Sequence, residues 1–365
     1  MLECRDNAGR EAEMISESRI RALLIVGIAL LAFVAVLSAM LVAGGYSPVR
    51  AALALWSGSM GSWYSISSAT LVRAVPLMLT GCGVAVAFRA GVFNVGAEGQ
   101  LIVGAAAAAG IALSLPHAGA AGIVAALVAG AVAGCGWAGI AAVLRARFGV
   151  LEVISTIMLN FVALHGVSYL VRGPLQEPTR IYPQSSSIAE TLRLPRFPGA
   201  GRLHVGMLLA LAILLVSGWI FRYTAAGFRL RSVGESPLAS ASAGRIDVRA
   251  TTMRAFLASG ALAGLGGAIE VLGVTYALYE NISPGYGYTA IAVALVANLD
   301  PWRIILSATL FAALEAGASA MQRDAGIPAA FVSIIEAVLI LAVIGTQAVR
   351  RRSLINAGAT TAGSV

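Results

Sequence analysis

Long apolar runs separated by short polar breaks recur along the chain, and their length is that of membrane-crossing helices. A helix needs about 20 mainly apolar residues to cross the roughly 30 Å of bilayer hydrocarbon. Runs of this kind fall at 22–43, 67–87, 95–115, 119–144 and 153–171. After a polar stretch they continue at 205–221, 252–271, a short one at 286–299, then 304–320 and 331–349. The pattern predicts an all-α polytopic membrane protein with about ten transmembrane helices, some of them short or discontinuous. The second run carries Pro76 and several glycines, so an interruption is expected there. A β-barrel would instead show segments of about ten residues with alternating polarity.

Composition points the same way. With 59% hydrophobic and 12% charged residues and a mean hydropathy of +0.86, the chain has more apolar surface than a soluble domain can hide. It divides into a tail at 1–20, a membrane domain at 21–349 and a second tail at 350–365. The first 18 residues lack an apolar core or cleavage signal, and Met14 is an alternative start within them.

All 25 cationic side chains are arginine. Placing both termini in the cytoplasm collects Arg5, Arg89, Arg145, Arg222, Arg229, Arg254 and Arg350 with their neighbours on one side, as the positive-inside rule requires. The exception is the external loop at 172–203, which holds five arginines and five prolines and is a candidate docking surface. The net charge of +8 is thereby explained by arginines facing anionic membrane lipid, with no call for nucleic acid.

Candidate chemistry is sparse. Three histidines and three cysteines are scattered without metal-ligand spacing, so no metal or cofactor is expected. No G-x-S-x-G nucleophile setting occurs, and the absence of lysine excludes a P-loop ATPase. The chain does not read as an enzyme.

The polar residues inside the apolar runs carry the remaining signal. PLMLTGCGVAVAFRAGVFNVGAEGQ, from Pro76 to Gln100, carries Arg89, Asn94, Glu98 and Gln100 directly into another apolar run, and its glycines let helices break or approach closely. Asn160 lies deep in another run. Polar groups at this depth face the bundle interior or a wet path. Asn94, Glu98, Gln100 and Asn160 are therefore candidates for a solute pathway. Glu98, Glu152, Glu270, Glu315 and Glu336 have two readings, interhelical ties or substrate and proton contacts. In the loop at 222–252, GESPLASASAG offers Ser236 as N-cap, Pro237 in the first turn and Gly244 as stop, with Glu235 at the positive end of the dipole. These specify a helix of about two turns lying flat on the cytoplasmic side.

These stretches, with EVISTIMLNF and GYGYTAIAVALVANLDPWRI, resemble the permease subunits of bacterial ABC importers of the branched-chain amino acid, ribose and nucleoside group, and most nearly the nucleoside permeases annotated for simple sugars. The resemblance covers roughly 71–348. It implies a type II ABC importer-like fold in a bacterial inner membrane, with a nucleoside, otherwise a simple sugar, as solute. It further implies separate cytoplasmic ABC ATPase subunits, a second, related permease forming a heterodimer, and an external substrate-binding lipoprotein. Gly234, Glu235, Ser236 and Pro237 would then begin the coupling helix seated in the ATPase. The rival reading is a proton-coupled secondary transporter using the buried glutamates. It predicts two similar halves, and no internal repeat is evident.

Overall fold

The computed structural model describes residues 34–242 and 246–328, together with positions 27, 28, 31, 32, 331, 334 and 337. Both expected tails, Gly244, Glu336 and most of the run at 331–349 lie outside the described residues. The described residues are helical apart from turns, loops and isolated β-bridges.

Among the described residues, seven helices are long and apolar enough to cross a membrane: α3 (Trp63–Arg89), α4 (Ala97–Ser114), α5 (Gly119–Phe148), α6 (Glu152–Arg172), α7 (Gly206–Tyr223), α10 (Val248–Thr275) and α12 (Pro301–Ala325). Before them, α1 (Val34–Ala43) and α2 (Pro48–Ser59) meet at 114° and make an eighth crossing if the bent pair counts as one. Two short helices, α8 (Ala225–Glu235) and α9 (Pro237–Ser242), follow α7. Among the described residues the chain is thus a polytopic α-helical membrane protein with fewer crossings than the expected ten, of which the run at 331–349 lies mostly outside them. One reason is α11 (Tyr286–Val296), whose 11 residues rise about 16 Å, half of the hydrocarbon thickness.

The second run is corrected. Helix α3 passes through Pro76 without a break. Proline removes one backbone donor, and within a membrane bundle buried neighbours hold such a helix together. The irregularity lies upstream, in a π-helical turn at Ile66–Thr70 where Leu71 N–H bonds the Ile66 carbonyl.

Two compact units divide the described chain. The first, through Leu55 and from Ala318 onward, centres on Leu41, Ala51, Ala54, Met321 and Ile327. The second, Trp56–Gly317, is built around α10, which packs on α3, α4 and α5. Its contacts run through small residues. A side chain at Gly104 would strike the Gly264 backbone, one at Gly134 the Gly260 carbonyl, and one at Gly267 the Leu101 carbonyl. Van der Waals packing and close backbone approach drive helix association where lipid is as apolar as the side chains, and glycine permits both. On the opposite side of α5, Val124, Val128 and Val132 recur every four residues and are exposed, as a lipid-facing stripe would be.

The loop between α6 and α7 is strapped down rather than free. Gln184 bridges to Tyr279 and Arg196 to His204. Arg172 donates to both oxygens of Glu280 at 3.1 and 2.7 Å, and Ser168 donates to Oε1 at 2.6 Å. Arg193 and Arg196 lie over the Tyr276 ring.

Candidate functional site: a buried polar elbow

Helix α3 ends because Gly91 adopts φ +74°, and its terminal carbonyls are closed by Gly91 N–H to Phe88 and Val92 N–H to Ala87. This is the two-bond helix stop that a residue of positive φ allows. The chain then runs through an irregular elbow, residues 91–96, before α4 begins at Ala97.

The elbow needs partners for its polar groups, and the sequence provides them from three helices. Asn94 Oδ1 accepts from Gly96 N–H and from Gln100 Nε2, both at 3.0 Å. Asn94 Nδ2 donates to Gln100 Oε1 at 2.9 Å and to Ser259 Oγ of α10 at 2.8 Å. The two amides form a reciprocal pair, and both are buried. From α6, Asn160 Oδ1 accepts the Gly99 N–H at 2.9 Å and Nδ2 donates to the Val95 carbonyl at 3.0 Å. Gly99 N–H belongs to the first turn of α4, which has no intrahelical acceptor, so Asn160 caps α4 from a neighbouring helix.

Glu98 faces the other way. Its Oε2 accepts from Gly287 N–H at 2.6 Å, and Ser283 also hydrogen-bonds the carboxylate. Ser283 Oγ takes the N–H groups of Gly285 and Tyr286. A carboxylate and a hydroxyl thus close the N-terminus of α11, where the helix dipole favours negative charge. Gly287 is required there, because a side chain would overlap the backbone of Glu98.

All four pathway candidates, Asn94, Glu98, Gln100 and Asn160, therefore come together in one buried network. Of the other glutamates, Glu152 lies 3.4 Å from Arg145 and accepts from Phe93 N–H at the elbow, and Glu270 is buried at the end of the regular α-helical part of α10. Sequence reasoning missed Ser259, Ser283 and Gly287. Ser259 sits in a run of alanines and glycines whose only signal is its hydroxyl.

The second candidate region touches the elbow. Gly234 lies against it so closely that a side chain would overlap the Arg89 carbonyl, with Gly91 adjacent. Ser236 ends α8 and its Oγ accepts the Ala239 N–H at 3.3 Å, starting α9. Pro237 and Leu238 are exposed at the tip, Leu238 at 83%. The preceding helix α8, capped by Thr224 on Gly227 N–H, was not expected.

The geometry is that of a glycine-packed helical membrane bundle, with polar groups gathered at one interruption and a short exposed helix against it. Residues 66–344 match the family described as "Branched-chain amino acid transport system / permease component", and the chain belongs to that family. It is 38% identical over 331 residues to the guanosine ABC transporter permease protein NupP of Bacillus subtilis, covering 90% of this chain and 92% of that one. It is 36% identical over 331 residues to the glucose ABC transporter permease protein TsgB13 of Haloferax volcanii, covering 88% and 87%. A second guanosine permease of Bacillus subtilis, NupQ, is 30% identical over 260 residues, covering 67% and 79%. No solved structure matches.

Proposed function

We propose that this chain is the membrane-spanning subunit of an ATP-driven importer for a small polar solute, a nucleoside before a simple sugar. It works with separate cytoplasmic ABC ATPase subunits, a second, related permease and an external substrate-binding lipoprotein, in a bacterial inner membrane. Both termini face the cytoplasm, the loop at 172–203 faces outward and the loop at 222–252 inward. The relatives named for guanosine support the nucleoside, and the glucose relative keeps a sugar as the second choice. Two related guanosine permeases in one organism support the heterodimer. A proton-coupled carrier draws no support from relatives named as ABC permeases.

In this reading the solute passes beside the elbow, and Asn94, Glu98, Gln100 and Asn160 offer it hydrogen bonds once their mutual partners open. Gly234, Glu235, Ser236 and Pro237 receive the ATPase. The observation that carries this is the seating of Gly234 on the Arg89 carbonyl, because a push on α9 passes into the last turn of α8 and from there reaches the end of α3 by backbone contact. The test is reconstitution in liposomes with radiolabelled guanosine and glucose outside. Accumulation requires the ATPases, the second permease and the binding protein. ATP hydrolysis or accumulation by the purified single chain overturns the proposal.

A further inference from the structure

A cavity of about 390 Å³ opens between α3, α7, α8 and α10 near the end of the bundle that carries Arg222, Arg229 and Arg231. Its walls are apolar, including Val86, Ile220, Phe221, Leu230, Ala258 and Leu262. Two cations also line it, Arg229 and Arg254, both exposed. Among the described residues neither makes a hydrogen bond or an ion pair. From Arg254 to Leu262 the cavity follows α10 for about 12 Å. Its volume is that of a ligand site rather than a packing defect.

We propose that this cavity binds one anionic phospholipid of the inner leaflet, with part of one acyl chain between α7 and α10 and its phosphate on Arg229 and Arg254. The arrangement of charge decides the occupant. An apolar slot alone accepts any acyl chain, or a helix of another subunit. Two unpaired guanidinium groups at headgroup depth select a phosphate, which arginine binds in bidentate fashion. Each basic residue near an anionic surface strengthens the attraction, and the buried methylenes add to it. The inference is independent of which solute is carried and rests only on the arginine-rich end lying at the inner leaflet.

The full complex is placed in nanodiscs of phosphatidylcholine with and without phosphatidylglycerol, and retained lipid is counted by native mass spectrometry after delipidation. The wild type retains one phosphatidylglycerol per chain and no phosphatidylcholine. The double substitution Arg229→Gln with Arg254→Gln lowers retention roughly thirtyfold, about 2 kcal/mol at tenfold per 1.4 kcal/mol. Ala258→Leu fills the slot and leaves the charges in place, and it also loses the lipid. Equal retention of both lipids by the wild type overturns the proposal without recourse to any variant. So does a cross-link from Ala258→Cys to the second permease, which would make the cavity a subunit contact.

Discussion

The elbow at 91–96 and the tip at 234–242 touch each other and are built on opposite principles. In the elbow, amides and hydroxyls from α4, α6 and α10 satisfy one another in a buried setting. At the tip, a six-residue helix has one buried side chain, Ser240, and presents Leu238 outward. A segment whose polar groups are consumed internally fixes the geometry of the helices it joins. A segment with few buried contacts is shaped by whatever docks on it. The two therefore respond to mutation in different measurements.

The largest expected effect is in the elbow. Asn94→Leu strands the Gln100 amide, the Ser259 hydroxyl and the Gly96 N–H, at about 1–3 kcal/mol for each buried group left unpaired, and relaxation brings the sum to about 3 kcal/mol. Thermal melting of the purified permease should register this, and a wild-type melting curve would mean that the elbow is no brace. Next comes the seam between the regions. Gly234→Val drives a side chain into the Arg89 carbonyl, and such overpacking costs about 1–3 kcal/mol. Both melting and coupled ATPase activity should fall, and an effect on melting alone would sever the mechanical link.

At the tip, Ser236→Ala removes a cap worth about 1 kcal/mol, too local to move the melting of the bundle. Co-purification of the ATPase should drop while expression holds, and full assembly with full uptake would reduce α9 to a connector. The smallest effect lies at the loop between α6 and α7, as a control for both regions. Arg172, then Ser168, hold the Glu280 carboxyl below its ordinary range. Its contribution is present above the ordinary carboxylate value and is lost as pH falls through the lowered one. A spin label at Thr179→Cys should gain mobility only in acid, below the ordinary carboxylate range, and Glu280→Gln should show that mobility at neutral pH. Exposed pairs contribute little, so uptake at neutral pH should be nearly unchanged.

Much of this was legible in the chain because the bilayer restricts the alternatives. The long spans are continuous runs, and the elbow was visible as Asn94 at the junction of two of them, with Glu98 and Gln100 at the start of the second. Ser236 was readable as a cap because its chemistry is local. Three features were not legible, for physical reasons. Pro76 reads as a break in isolation, and only burial by neighbouring helices makes it tolerable. The run at 286–299 reads as short yet counts as a crossing because it is as apolar as a spanning helix, and α11 ends at Val296, about half the needed length. Ser259 and Gly287 meet their partners across 165 and 189 residues, a separation that no local pattern records.

The backbone contacts of α4, α5 and α10 at Gly104, Gly134 and Gly264 have a mechanical consequence. Rotamer changes let two helices slide when side chains separate them, but these three helices have carbonyls against α-carbons in between. Any slip of one past another by a fraction of a turn would bring a larger residue onto bare main chain. The three must travel as a single stave, and whatever motion opens the molecule has to be taken up at its margins, where the elbow, α8 and the half-length α11 supply the joints.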